Sequence, residues 1–120
     1  AHVAAHGGHT AALELLVKAG CDVNQADNDG WTPARAAAQY GETAAFVLLV
    51  KAGCDVNQAE KNGLTPAYIA AWKGHTAALE ILVKAPGCDV NQAEENGATP
   101  AHIAAHEGHT AALKLLVKAG

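Results

Sequence analysis

Serine is absent from this 120-residue chain, only five residues are aromatic, and no apolar run approaches the roughly 20 residues that cross a bilayer. Without serine there is no Ser-His-Asp nucleophile, and a Cys-His pair would need an exposed thiol. With so few aromatics the core must be alanine, leucine and valine, which suits closely packed helices better than sheets. Positive charge is also sparse. Eight Lys and Arg face twelve Asp and Glu, giving a net charge of -4 spread over the chain without a block of either sign. The basic stripe that phosphate backbones require is missing, so nucleic acid is not an expected partner. The Ala-rich start carries no positively charged signal-peptide head, and no membrane partner is expected.

What the chain has is repetition. Gly30-Trp31-Thr32-Pro33 recurs as Gly63-Leu64-Thr65-Pro66 and as Gly97-Ala98-Thr99-Pro100, at intervals of 33 and 34 residues. Ala1-His2-Val3-Ala4-Ala5-His6 joins the series part-way through, in register with Ala101-His102-Ile103-Ala104-Ala105-His106. A period of this length means a stacked array in which each unit buries its apolar face against its neighbours. The expected organisation is one domain over 1–120, with units at about 1–29, 30–62, 63–96 and 97–120 and the first and last incomplete. Cys21, Cys54 and Cys88 occupy the same place in successive units. Packed neighbours about 10 Å apart exceed disulfide reach, so these cysteines read as small buried apolar residues. With no Asn-x-Ser/Thr site present, a reducing, intracellular and cytoplasmic setting is the expectation.

Within a unit, Thr32, Thr65 and Thr99 each precede a proline, a hydroxyl cap followed by a residue with preset φ, which starts a first helix. Gly41, Gly74 and Gly108 stop it about two turns later, and Thr43, Thr76 and Thr110 open a second helix that is apolar nearly all round. Its wet face carries Glu14 with Lys18 and Glu80 with Lys84, one turn apart. The second copy has Val47 at that place and the fourth has Lys114. Asp29-Gly30, Asn62-Gly63 and Asn96-Gly97 then favour the positive φ of tight turns. Pro86 is one extra residue just beyond a helix end, expected to lengthen a loop without breaking the stack.

Gly-x-Thr-Pro near the front of each unit, Gly-His between the helices and Gly-x-Asp-Val-Asn after them resemble the ankyrin repeat family over the whole chain. The departures are local: Ala34, Ala67 and Ala101 replace the usual leucine, Arg35 and Tyr68 the usual histidine, and Gly41-Glu42 the Gly-His. The resemblance implies an all-α solenoid of helix-turn-helix units joined by hairpin loops, with no catalysis and no cofactor. It also implies recognition of a partner protein through the concave surface of hairpin tips and first helices. The matching positions, where the copies disagree, are Trp31, Arg35, Gln39 and Tyr40, then Lys61, Asn62, Leu64, Tyr68, Trp72 and Lys73, then Ala98, His102 and His106.

Composition supports the same surface. Trp31, Tyr40, Tyr68 and Trp72 stand at positions the repeat does not need for packing, flanked by Arg35, Lys61 and Lys73, the mixture found at interface centres. The competing reading has Tyr68 and Trp72 lying flat on adjacent helices, filling the volume lost through the alanines. A bare scaffold or spacer, with no specific partner, is the alternative function.

Seven histidines include His2 with His6, and His102 with His106 and His109, one turn apart as in helical zinc sites. That spacing falls out of the repeat, no Cys or carboxylate completes a set of four within a unit, and His9, His75 and His109 resemble the family's structural histidine, so no metal is expected. Leu16 to Asn24 and Leu49 to Asn57 resemble the spacing that asparaginyl hydroxylases use in ankyrin repeats. The structural reading has these asparagines hydrogen-bonding the hairpin backbone. Leu113, Leu115, Leu116 and Val117 repeat the stacking residues of the inner copies, which leaves either a piece of a longer array or end-to-end self-association as the expectation.

Overall fold

The computed structural model describes residues 32–41, 43–60, 62–85 and 87–119, and of Tyr40 the backbone alone. The readings made for the first unit, Trp31, Lys61, Pro86 and the side chain of Tyr40 lie outside the described residues. Six helices are found among those residues: α1 Pro33–Tyr40, α2 Thr43–Lys51, α3 Pro66–Lys73, α4 Thr76–Lys84, α5 Pro100–His106 and α6 Thr110–Ala119. They alternate as first and second helices of successive units.

The first helices begin as their threonines dictate. Thr32, Thr65 and Thr99 are extended, with φ of -90, -91 and -97°, and their hydroxyls accept from the backbone N–H of Arg35, Tyr68 and His102 at 3.2, 3.2 and 3.3 Å. Proline follows each cap, where its missing N–H costs no helical hydrogen bond. Gly41 and Gly74 end α1 and α3 in the left-handed conformation, φ 64 and 72°. α5 stops one residue sooner, with Glu107 right-handed at its end and Gly108 taking the positive φ next.

First helices pack on first helices, α1 on α3 and α3 on α5, while α2 packs on α4 and α4 on α6. Each first helix also packs on the second helix of its own unit, so the array is two layers thick. Among the described residues no strand forms. Ala36, Ala37, Ala38, Ala70, Ala71 and Ala104 have no exposed surface, and such small side chains let neighbouring helix backbones approach closely. The larger core residues, Phe46, Leu49, Ile69, Leu79 and Leu82, are equally enclosed. Each contributes roughly 1.5–3 kcal/mol by leaving water. Cys54 is buried, Cys88 is half-buried, and both are free thiols.

Polar links join unit to unit. Nε2 of His75 lies 3.1 Å from the carbonyl of Gln39, and Nε2 of His109 lies 3.0 Å from that of Trp72. A carbonyl can only accept, so each ring donates from Nε2. Asn57 reaches into the next loop, donating from Nδ2 to the Gly87 carbonyl at 2.7 Å and accepting at Oδ1 from the Asp89 N–H at 2.7 Å. The asparagine thus bonds backbone as expected, but that backbone belongs to the following unit and not to a hairpin.

Candidate partner-binding surface

The hairpin tips place the first residues of this surface. Glu60 N–H donates to the Leu64 carbonyl at 3.0 Å and Gly63 N–H to the Glu60 carbonyl at 2.8 Å; Glu94 with Ala98, and Gly97 with Glu94, repeat the arrangement at 2.8 and 2.9 Å. Asn62 is exposed at the tip, and its carbonyl accepts from Glu95 N–H at 3.0 Å, fastening one tip to the next. Only glycine suits position 63. Its φ is +83°, and a Cβ would come within 2.9 Å of the Glu95 nitrogen.

Equivalent glutamates in these two turns do different things. One Glu94 carboxylate oxygen accepts from the N–H groups of Asn96 and Ala98 at 2.8 and 3.0 Å, bracing its own turn. Glu60 instead meets Arg35 on the first helix of its own unit, whose Nε and Nη2 donate at 3.2 and 3.4 Å, and Arg35 donates its remaining Nη to Gln39. The outward placement expected of Arg35 is not found. It is 7 % exposed, because a guanidinium so surrounded is held inside by charge-assisted hydrogen bonds.

Tyr68 is also more enclosed than expected, at 9 %. Burial, followed by the carboxylates of Glu94 and Glu107, pushes its phenol above the ordinary value. The packing-filler reading describes most of its ring, but an edge reaches a groove. That groove, about 300 Å³ in volume, lies between the second and third first-helices and is lined by Tyr68, Ala98, His102, Ile103 and His106. Its walls are almost wholly apolar.

Four of those five residues, Tyr68, Ala98, His102 and His106, are sequence-predicted. Ile103 was missed. It shares a repeat position with Ile69, which is fully buried, and that likeness marks it as core; in the last helix pair of this chain the same position is half-covered.

The histidines are differently engaged. Nδ1 of His102 accepts from Thr99 N–H at 3.0 Å, completing a capping box and leaving the hydrogen on Nε2. His106 donates from Nδ1 to Glu107 at 2.9 Å and is 79 % exposed at its side chain.

Of the other predicted residues, those that are described do not line this groove. Trp72 is half-buried against the core, and the Lys73 ammonium stands 4.4 Å from the centre of its ring, a cation–π contact. Leu64 is likewise half-buried. Among the described residues no group of three or more His, Cys, Asp or Glu is placed to hold a metal ion. Cys54 and Cys88 are poor nucleophiles, since burial, with Asp55 and Asp89 nearby, pushes both thiols up to about 11.

Two adjoining stretches match descriptions of one family: residues 1–94 match "Ankyrin repeats (3 copies)" and residues 96–120 match "Ankyrin repeat". The chain belongs to the ankyrin repeat family, whose repeats generally serve as protein-interaction modules. The resemblance read from Gly-x-Thr-Pro and Gly-His holds, as does the all-α solenoid.

Among curated proteins, the chain is similar to protein phosphatase 1 regulatory subunit 12A. It is 61 % identical to the Mus musculus and Rattus norvegicus proteins over 36 residues, and 62 % identical to the Homo sapiens protein over 32. These stretches cover 30 % and 27 % of this chain, but only 4 % and 3 % of the relatives' lengths.

Proposed function

We propose that this chain binds a partner protein through its hairpin tips and first helices, with Trp72 and the groove beside Tyr68 at the centre. The observation that carries this reading is the groove itself: an open apolar recess that includes four positions at which the repeats differ, with the half-buried Trp72 one helical turn along from Tyr68. Such a recess takes an apolar side chain, while the exposed His106, Lys73 and Asn62 form a polar rim. The likeness to a phosphatase regulatory subunit supports a regulatory interaction module without catalysis of its own. At one repeat in length it supports the class of function and not a phosphatase as the partner.

Affinity capture with the chain as bait, followed by titration of the recovered protein, tests the reading. Trp72→Ala should weaken binding by about 2 kcal/mol, roughly thirtyfold, with little change in melting temperature. A drop of several degrees with unchanged affinity would make Trp72 core filling and remove the centre of the proposal. Recovery of no saturable partner would favour the bare scaffold.

A separate contact is supported by Val117, which is 68 % exposed, and by half-buried Leu113 and Leu115 on the same helix. We propose that this face stacks on a further copy when the 120-residue chain stands alone. Light scattering over a concentration series should then show a rising mass, and a constant monomer would refute it.

A further inference from the structure

The layer of second helices carries a groove that the proposed function does not use. It is about 270 Å³ in volume, lies between α2 and α4, and is lined by Val47, Val50, Lys51, Ile81, Lys84 and Ala85. Valine and isoleucine side chains form an apolar floor, and the two exposed lysines stand on the rim, one from each unit.

The floor owes its character to one departure from the repeat. At the place of Val47 the other copies carry Glu14, Glu80 and Lys114. Valine there does two things together: it leaves apolar surface where a charge is the rule, and it removes the carboxylate that would stand one turn before Lys51. Among the described residues, neither Lys51 nor Lys84 forms an ion pair.

We propose that this groove is a second docking site, independent of the first-helix surface, for an acidic amphipathic helix of a partner protein. The lysines occupy equivalent positions on adjacent packed helices, whose axes lie about 8–10 Å apart. Two glutamates seven residues apart on a helix are separated by about 10.5 Å along its axis. Aliphatic residues three and four positions after the first glutamate share that face and fall between the two charges. A helix crossing α2 and α4 can therefore meet both ammonium groups while seating its apolar stripe on Val47, Val50 and Ile81, the helix-in-groove mode of recognition. The two charged residues that line the groove are both cationic, which favours acidic over basic helices, with Glu80 standing outside the lining one turn before Lys84.

The test uses the 120-residue chain with labelled valine and isoleucine methyl groups. The probe is a stapled helical peptide of about 15 residues, a length at which an unstapled helix is marginal. It carries two glutamates seven residues apart that flank a leucine pair. Saturable shifts of the Val47, Val50 and Ile81 methyls are expected. Lys51→Glu combined with Lys84→Glu should weaken binding about tenfold or more, because attraction becomes repulsion at both rim positions. Val47→Glu should do the same while restoring the repeat's own Glu-Lys spacing, and melting curves would show that both variants remain folded.

Four results would overturn the proposal: no saturable shift at these methyls, equal binding of a peptide with lysines in place of glutamates, shifts centred on Ile103 instead of Ile81, or a response to anionic lipid vesicles but not to the peptide.

Discussion

A methyl group added at Gly74 would sit 2.8 Å from Nδ1 of His109, and one at Gly41 would sit equally close to Nδ1 of His75. Each inter-helix glycine thus serves twice, supplying a positive φ and a flat seat for the next unit's imidazole. Gly108 separates the two roles, since its φ is +74° yet nothing lies within 4 Å of where its Cβ would be. Gly108→Ala should cost about 1–2 kcal/mol, the left-handed penalty alone, and Gly74→Ala distinctly more by chemical denaturation. His109→Ala should narrow that gap in a double-mutant cycle, and an unchanged gap would mean that the ring contact is inert.

The buried thiols give a second residue-scale expectation. Burial raises Cys54 and Cys88 from 9.0 to about 11, so the folded state holds these protons more tightly than the unfolded chain. Their contribution to stability is complete below about pH 9 and is lost as pH rises through about 11. Melting temperature should fall over that interval, and replacing both cysteines by alanine should flatten the decline.

Individual helices were the most legible part of the chain. Thr-Pro starts and glycine stops are local chemistry, and the helices begin where those residues ask. Contacts between parts of the chain far apart in sequence were less accessible. Arg35 and Glu60 are 25 residues apart, and nothing in either neighbourhood announces that hairpin and helix meet there. The pair is 9 % and 10 % exposed at its side chains, so removal of one partner leaves a desolvated charge. Glu60→Ala should cost roughly 3–5 kcal/mol, whereas Arg35→Met with Glu60→Leu should cost much less because no charge is stranded. Equal losses in denaturant titrations would mean that Arg35 is held by Gln39 and its other contacts and not by Glu60. The groove beside Tyr68 was half-legible for the same reason: variable positions pointed to its residues, but the burial of Tyr68 and partial exposure of Ile103 depend on which helix follows in the stack.

At the scale of the whole molecule, the main helix contacts among the described residues join helices of the same or adjacent units. Stability in such an array is close to a sum of unit and interface terms, and damage should stay near its origin. Leu79 and Leu113 occupy the same repeat position, one fully buried with helices packed on both sides, the other half-buried in the last helix of this chain. Leu79→Ala should cost about 2–5 kcal/mol and lower hydrogen-exchange protection in α3 through α6 together, because it weakens a unit that two interfaces share. Leu113→Ala should cost less, with lost protection confined to α5 and α6 while α1 to α4 keep theirs. A uniform loss in both variants would mean that the array unfolds as one cooperative body. The half-exposed residues of α5 and α6 would then be as tightly coupled to the fold as Leu79 itself, and a surface so coupled could not be altered for binding without altering stability everywhere.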